Sequence, residues 1–322
     1  MPPATAPQSG RAETCCGGAA AAPQGIAKED LMTLPVVFGA NVDPVWHPAA
    51  EPLRRAQDAE RLGLDLVTIQ DHLYQPKFYD AWTLLTYITA QTEKITVVPT
   101  VATLPLRPPA VLAKAAASLD LLTGGRVQLG LGGGAFWDAI AAMGAPRRTA
   151  REAVDALSEA IDVIRAIWSG QRSVRVSGHY YTLSGAHPGP QPSPALGIWL
   201  GAYGPRMLTL TGAKADGWLP SHGYLGLDKL RAASSRVDHA AEEAGRDPAQ
   251  LRKLYNIAGF IGTESREPFT GSAGQWAEQL ISAVTDYGMN GFAYWPTGDH
   301  DTQIARFAQE VVPAVREALV TA

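Results

Sequence analysis

The sequence predicts an α/β fold, a closed (β/α)8 TIM barrel with insertions, and three observations predict it. Runs of apolar and β-branched residues alternate with amphipathic helical patterns. Eight such strand–helix pairs follow one another, and polar or glycine residues follow most of the strand-like runs. A chain of 322 residues is the length at which an α/β barrel with insertions forms one domain.

The predicted strands and helices alternate regularly. The strands comprise residues 36–41, 65–70, 95–101, 126–131, 198–201, 218–221, 254–262 and 292–295. The helical patterns lie at about 49–62, 80–91, 110–122, 150–169, 205–214, 227–245, 274–287 and 302–319. Glycines 124 and 125 end the third helix. A hairpin at 173–183 and a proline-rich stretch up to residue 194 predict an insertion at about 170–196.

Two other organisations fit this alternation less well. A doubly wound sheet usually has five or six strands in a domain. Two small α/β domains would need a linker, and the one candidate, 185–194, adjoins the predicted hairpin. We therefore predict a single barrel domain over residues 35–322. The preceding residues 1–34 are rich in Ala, Pro and Gly and are predicted to be a disordered tail.

Composition argues against several classes of function. The net charge of -4 leaves no basic surface for nucleic acid. No apolar run is long enough to span a membrane. Cys15 and Cys16 are adjacent in the tail, so the folded part has no cysteine for a disulfide or a metal site. The tail has no apolar segment of signal-peptide length, and we expect a cytoplasmic protein.

Asp71 and His72 form the sharpest local motif, because an apolar strand runs directly into this charged pair. In a barrel, the residues that perform chemistry follow the carboxyl ends of the strands. A histidine there can transfer a proton near neutral pH, and a neighbouring carboxylate can fix its tautomer. The alternative is a histidine that caps or packs under a loop.

A glycine run, Gly132, Gly133 and Gly134, follows the fourth predicted strand. With its neighbours, over residues 130–135, it matches the loose dinucleotide pattern G-x-G-x-x-A, but that pattern belongs to the first turn of a Rossmann unit. In a barrel, glycines at this place let the backbone approach a flat ligand or its phosphate. A tight turn without a ligand remains the alternative.

A second glycine-containing turn leads from the fifth predicted strand into a helix. It consists of Gly201, Ala202, Tyr203 and Gly204, and Pro205 suits the first helical position. Free backbone N–H groups at such a helix start attract phosphate. No metal site is predicted, since the histidines have no i, i+4 pair and no cysteine partner. The nucleophile elbow of hydrolases is also absent from the sequence.

Together these segments resemble the luciferase-like oxidoreductases, the superfamily of bacterial luciferase and the F420-dependent reductases. The resemblance extends from about Leu34 to the C-terminus. It is carried by segments 59–65 with 71–72, 107–109, 113–114, 119–120, 123–132, 191–192, 204–206 and 215–218.

The resemblance implies a tricyclic coenzyme at the barrel mouth. A non-proline cis peptide, matched here by Thr100-Val101, would back the ring, with Thr103 and the glycine run nearby. The turn at 201–204 would contact the coenzyme tail or phosphate. Asp71 would contact the coenzyme and His72 would be the active-site histidine, as in deazaflavin-dependent sugar-phosphate dehydrogenases.

This chain departs from those dehydrogenases in the substrate pocket. They carry Glu where it has Ala135, and Lys and Thr where it has Tyr224 and Ser221. Sugar-phosphate oxidation is therefore not expected. Side chains near the predicted strand mouths indicate an apolar or aromatic substrate, and the candidates for contacting it are Trp46, Trp82, Phe136, Trp137, Ser221 and His222.

The resemblance leaves two coenzymes open. F420 is favoured, because the segments 287–291 and 296–300 resemble the deazaflavin branch. Hydride transfer from F420H2 to a small organic substrate is then expected. The alternative is an FMNH2-dependent monooxygenase that inserts one oxygen atom from O2, and a non-catalytic flavin-binding barrel is a third hypothesis. A separate coenzyme reductase and a second copy of the chain are the candidate protein partners.

Overall fold

Parallel strands and helices alternate from residue 34 to residue 321, the part of the chain that this computed structural model describes. The strands are β1 (Val37–Asn41), β2 (Leu66–Ile69), β3 (Thr96–Pro99), β4 (Ala102–Thr103), β5 (Leu129–Gly132), β6 (Val174–Ser177), β7 (Thr182–Ala186), β8 (Ile198–Leu200), β9 (Gly217–Trp218), β10 (Arg252–Ile261), β11 (Thr270–Gly271) and β12 (Gly291–Pro296). The predicted tail, 1–34, lies outside the described residues apart from Leu34.

The main helices pack around these strands. They are α1 (Glu51–Arg61), α2 (Ala81–Thr89), α3 (Pro109–Thr123), α4 (Trp137–Ala142), α5 (Ala150–Trp168), α6 (Pro205–Lys214), α7 (Leu227–Glu243), α8 (Ala273–Thr285), α9 (His300–Arg306) and α10 (Val312–Thr321), with a π-helical turn Phe307–Val311 between the last two. Gly124 ends α3 at φ 69°, as its sequence position predicts. Thr149 and Glu152 form a capping box at the start of α5.

The strands form a nearly closed parallel barrel, which confirms the predicted fold class. Hydrogen-bonded neighbours run in the order β3, β2, β1, β12, β10, β9, β8, β5, β4. The barrel closes between β3 and the residues just before β5, because Val97 N donates to Arg126 O at 3.0 Å and Gln128 N donates to Val97 O at 3.1 Å. The third predicted strand, 95–101, ends at Pro99 as β3, and β4 follows beyond Thr100-Val101.

Two apolar clusters hold the barrel together. The larger one lies between the strands and the surrounding helices and contains most of the buried aliphatic residues. The smaller one contains Leu66, Val98, Trp199, Leu219, Leu254 and Ala293, with Val101 and Trp295 packed against it. Because neighbouring residues of a strand face opposite sides, this second cluster fills the barrel interior. It supports the floor of the cavity described below.

The predicted insertion contains the antiparallel pair β6–β7. Its turn is held by Glu159 of α5, whose carboxylate accepts hydrogen bonds from the N–H groups of residues 179, 180 and 181. Within residues 34–321, no helix is long and apolar enough to cross a membrane.

Candidate functional site

A cavity of about 1070 Å³ opens at the carboxyl ends of the barrel strands. That is the location of active sites in (β/α)8 barrels. The volume is at the upper end for small-molecule sites, so a tricyclic coenzyme and a small substrate can fit together. Most of the sequence-predicted site residues line this cavity, namely His72, Thr100, Val101, Thr103, Gly132, Gly133, Gly134, Phe136, Trp137, Gly201, Tyr203, Gly204 and Ser221.

One wall of the cavity is built on Val101. The peptide bond between Thr100 and Val101 is cis, as the resemblance implies. A Cβ added to Gly132 would lie 2.5 Å from Val101 Cγ2, and one added to Gly201 would lie 3.2 Å from Val101 Cγ1. The two glycines therefore leave room for the Val101 side chain between β5 and β8. The result is an apolar wall at the mouth of the barrel.

Neighbouring protein atoms crowd the glycine run Gly132–Gly134. A Cβ on Gly133 would lie 3.3 Å from the Ala153 carbonyl oxygen of α5. Gly134 has φ +100°, and a Cβ there would lie 2.9 Å from Pro105 Cγ. Neighbouring protein atoms thus restrict both positions to glycine. The run also lines the cavity, and its contact with a coenzyme stays a prediction.

The start of α6 faces the cavity with free backbone donors. Gly204 is the N-cap residue and has no side chain to cap the helix, and a Cβ placed there would meet nothing within 4 Å. Pro205 has no N–H, and no partner within the described residues accepts from the N–H groups of Arg206 and Met207. Arg206 also lines the cavity and pairs with Asp155 at 2.7 Å. This end of the cavity suits an anionic group.

Asp71 lies below the cavity and does not line it. Its carboxylate accepts two hydrogen bonds from Arg107, at 2.7 and 2.8 Å, and one from Thr103 N at 2.9 Å. Arg107 also pairs with Asp80. Both carboxylate oxygens of Asp71 therefore accept hydrogen bonds from other residues of the protein. Its position ties the segment after β2 to the segment after the cis peptide.

The hydrogen-bond partner of His72 is Tyr74 and not Asp71. Its Nδ1 lies 2.7 Å from the Tyr74 hydroxyl, and Phe136 packs edge-on against the imidazole at 5.6 Å. The expectation that Asp71 fixes the tautomer of His72 is therefore wrong. Burial lowers the pKa of His72, an effect that the charge of Asp71 opposes. Burial raises the pKa of the Tyr74 hydroxyl to about 12.

Four further predicted residues lie away from the cavity lining. Ala202 is buried, and its carbonyl oxygen accepts from Trp218 Nε1 at 2.9 Å. Trp46 donates to the Pro76 carbonyl at the surface. Trp82 is buried on α2, and His222 packs against Phe269 at 5.0 Å. Position near a strand mouth did not determine which way these side chains point.

Asn256 is a cavity residue that the sequence analysis missed. It lies on β10 and is 4% exposed. Its Nδ2 donates to the Pro220 carbonyl oxygen, and its Oδ1 accepts from Trp295 Nε1, both at 3.2 Å. Trp295 also lines the cavity. Asn256 lies in the middle of a long predicted strand, so no sequence signal marked it. Other polar lining residues outside the predicted site are Gln70, Tyr74, Arg151, Arg206 and Tyr224.

The titratable groups of the cavity are few. Among the described lining residues there is no Asp or Glu, and the groups that can carry charge are His72, Arg151 and Arg206 together with tyrosines. Across residues 34–321, no cluster of three His, Cys, Asp or Glu could hold a metal ion. Among the described lining residues, His72 is therefore the one whose type of side chain exchanges protons near neutral pH.

Comparison with protein families gives a match to the model described as luciferase-like monooxygenase, over residues 30–303. Curated proteins give similar relatives. The chain is 32% identical over 236 residues to an F420-dependent glucose-6-phosphate dehydrogenase of Microbacterium testaceum, covering 70% of this chain and 68% of that protein. It is 34% identical to an F420-dependent hydroxymycolic acid dehydrogenase of Mycobacterium tuberculosis, covering 65% of this chain and 58% of that protein.

Solved structures show the same fold at low identity. An F420-dependent secondary alcohol dehydrogenase, in complex with an F420-acetone adduct, superposes with a TM-score of 0.76 at 20% identity, covering 88% of this chain and all of that one. The coenzyme F420-dependent tetrahydromethanopterin reductase of Methanopyrus kandleri superposes with a TM-score of 0.71 at 19% identity, covering 87% of this chain and 99% of that one.

Proposed function

The chain belongs to the luciferase-like monooxygenase family, and we propose that it is an F420-dependent oxidoreductase that transfers a hydride to a small apolar or aromatic organic substrate. The observation that carries this proposal is that the Val101 wall and His72 share one cavity at the barrel mouth. The names of its curated relatives support F420 over FMN. The chain spans 58% to 68% of the length of these two relatives.

The residues of the cavity fit a flat coenzyme with an anionic tail. Val101 offers an apolar surface for a ring, with Gly132 and Gly201 beside it. The unpaired N–H groups of Arg206 and Met207 suit a phosphate, because they lie at the positive end of the α6 dipole. When it is bound, the deazaflavin supplies the hydride, and the protein supplies its placement.

His72 is the residue that we assign to proton transfer with the substrate oxygen. It lines the cavity, and its Nδ1 is engaged by Tyr74, so Nε2 is the nitrogen left for a substrate. Burial lowers its pKa, which keeps the ring neutral at pH 7. A neutral imidazole can donate the Nε2 proton or accept one there, depending on its tautomer.

The substrate that we propose is neutral and apolar. Phe136, Trp137 and Trp295 line the cavity, while Arg151 and Arg206 lie on the first turns of α5 and α6 and are the cations of its described lining. We assign those two arginines to the anionic part of the coenzyme, which leaves the His72 region without a cation for a sugar phosphate. Ketones and secondary alcohols fit this region. A relative named as a phthiodiolone/phenolphthiodiolone dimycocerosates ketoreductase agrees with a ketone as the group that reacts.

Two protein partners complete the proposal. The resemblance to the family supports a homodimer, and light scattering of the purified protein would test it. A separate enzyme that reduces the coenzyme is the second partner, since the proposed reaction consumes reduced coenzyme.

Equilibrium binding of F420 and of FMN, followed by fluorescence, tests the coenzyme assignment. We expect F420 to bind much more tightly than FMN. Gly204→Val should weaken F420 binding about tenfold, or about 1.4 kcal/mol, because the new methyl groups occupy space beside the free N–H groups. Gly274→Val is the matched control, since a Cβ there meets only Ser272 Oγ at 3.9 Å. Preferential FMN binding would instead indicate the monooxygenase alternative, and unaltered affinity of Gly204→Val would remove the phosphate assignment.

A further inference from the structure

The Tyr74 hydroxyl is placed on one particular nitrogen of the active-site histidine. It lies 2.7 Å from His72 Nδ1, a normal length for a strong hydrogen bond. Phe136 packs against both rings, at 5.6 Å from His72 and 5.9 Å from Tyr74, and Phe78 lies 6.5 Å from His72. The imidazole and the phenol are therefore held together as one packed unit beside the cavity.

The hydrogen-bond partners around Tyr74 favour one direction for this contact, donation from the phenol to Nδ1. A phenol has one proton to donate, and within the described residues the Tyr74 hydroxyl has His72 Nδ1 as its hydrogen-bond partner. The carboxylate nearest in sequence, Asp71, is occupied by Arg107 and Thr103. Donation from Tyr74 to Nδ1 uses the phenol proton within the protein, without a contact to solvent. It leaves the proton of neutral His72 on Nε2.

We propose that Tyr74 is a positioning residue that holds His72 in the tautomer protonated at Nε2, so that the site is set to protonate a substrate oxygen. This inference rests on the proposed function and adds a direction to it. A neutral imidazole with a proton on Nε2 acts as an acid, which is what reduction of a carbonyl requires once the carbon has received its hydride. The resting tautomer is thereby the one from which ketone reduction starts, whereas alcohol oxidation would start from the tautomer that has a free Nε2.

Tyr74 replaces the proton that His72 gives to the substrate. When Nε2 gives its proton to the substrate oxygen, Nδ1 takes the phenol proton of Tyr74, so the imidazole stays neutral. Water then returns a proton to the Tyr74 oxygen, which is feasible because Tyr74 is only half-buried. Exchange of the imidazole proton with solvent, from Nδ1 to Nε2, restores the starting tautomer. The O–H bond of the product alcohol forms as the Nε2–H bond breaks. The net proton comes from solvent, and the hydride comes from the reduced deazaflavin of the proposed function.

The tautomer can be measured without any coenzyme or substrate. Nitrogen-15 NMR of histidine-labelled protein at pH 8 distinguishes Nδ1–H from Nε2–H imidazole, and the His72 signals are assigned by their loss in His72→Gln. We expect wild-type His72 to be mainly Nε2–H, and Tyr74→Phe to give a mixture. The same variant should show a higher His72 pKa, because a hydrogen bond that only the neutral ring can accept has been removed.

Tyr87→Phe is the matched control, because Tyr87 is 56% exposed on α2. It should leave the His72 spectrum unchanged. A wild-type His72 that is mainly Nδ1–H, or a tautomer that is unaltered in Tyr74→Phe, would overturn the proposal. Because these spectra need no ligand, they stand even if F420 fails to bind, and a failure of F420 binding alone would count against the proposed function only.

A kinetic measurement separates positioning from a purely structural role. With reduced F420 and acetophenone as the probe ketone, Tyr74→Phe should lower kcat about tenfold or more, within the range for general acid–base catalysis, and change KM less than twofold. Wild-type kcat in this variant would contradict the proposal.

Discussion

Replacing Asp71 with asparagine tests whether this carboxylate is a structural tie or a coenzyme contact. Its side chain is 1% exposed, and it receives two hydrogen bonds from Arg107 and one from Thr103 N. The amide side chain of the Asp71→Asn variant would keep one acceptor oxygen and turn an NH2 group toward these donors. Breaking a buried pair typically costs about 3–5 kcal/mol. Because Arg107 keeps its second partner, Asp80, we expect the lower end, about 3 kcal/mol.

The assay is chemical and thermal unfolding of the variant beside Asp138→Asn. Asp138 also forms an ion pair with an arginine, Arg147, but its side chain is 96% exposed. Asp138→Asn should therefore lower the free energy of unfolding by less than about 1 kcal/mol. At about 2 °C for each kcal/mol, Asp71→Asn should unfold roughly 6 °C lower. A change as small as that of the control, combined with a large loss of coenzyme affinity, would refute the structural assignment and restore Asp71 as a coenzyme contact.

Three further outcomes are expected. His72→Gln should lower kcat by about 10²–10⁴ with coenzyme affinity within about twofold, and unchanged turnover in steady-state kinetics would count against its role. Asn256→Leu should release Trp295 and raise the KM for an aromatic substrate by several-fold, as initial rates would reveal, while fluorescence titration should give the wild-type F420 affinity. Burial lowers the pKa of His72 and of His222, so just below pH 6.5 the unfolded chain binds more protons than the folded protein. The stability that these two histidines contribute should therefore be present above pH 6.5 and decline toward pH 5. Thermal melts as a function of pH measure this decline, and a melting temperature that does not change over this range would contradict it.

The barrel was predictable because its signals are local. Strand residues alternate between two buried environments, and helix ends carry their own markers, such as Gly124 and the Thr149 capping box. The position of His72 followed from a general property of barrels, since residues after a parallel strand reach the mouth. Even so, the boundary of β3 was placed two residues too late, because the cis peptide interrupts a run that is apolar in sequence.

The contacts of the site were harder to predict because they join distant parts of the chain. Asp71 pairs with Arg107, 36 residues later, and nothing near Asp71 in the sequence marks that partner. Because Asp71 precedes His72 in the sequence, its carboxylate was expected to bind the imidazole. In the structure the Tyr74 hydroxyl contacts Nδ1 instead. Trp82 lies on the inner face of α2, so its aromatic ring belongs to the core and not to the cavity. The direction in which such a side chain points depends on tertiary packing and not on its position in the sequence.

The most direct test of the central claim is anaerobic turnover of reduced F420 with an aromatic ketone such as acetophenone. The oxidation of the coenzyme is followed by absorbance, and the alcohol product is quantified. We predict coenzyme oxidation that matches alcohol formation one to one without oxygen. The result that would contradict the account is turnover that requires O2 and reduced FMN and places one oxygen atom in the product.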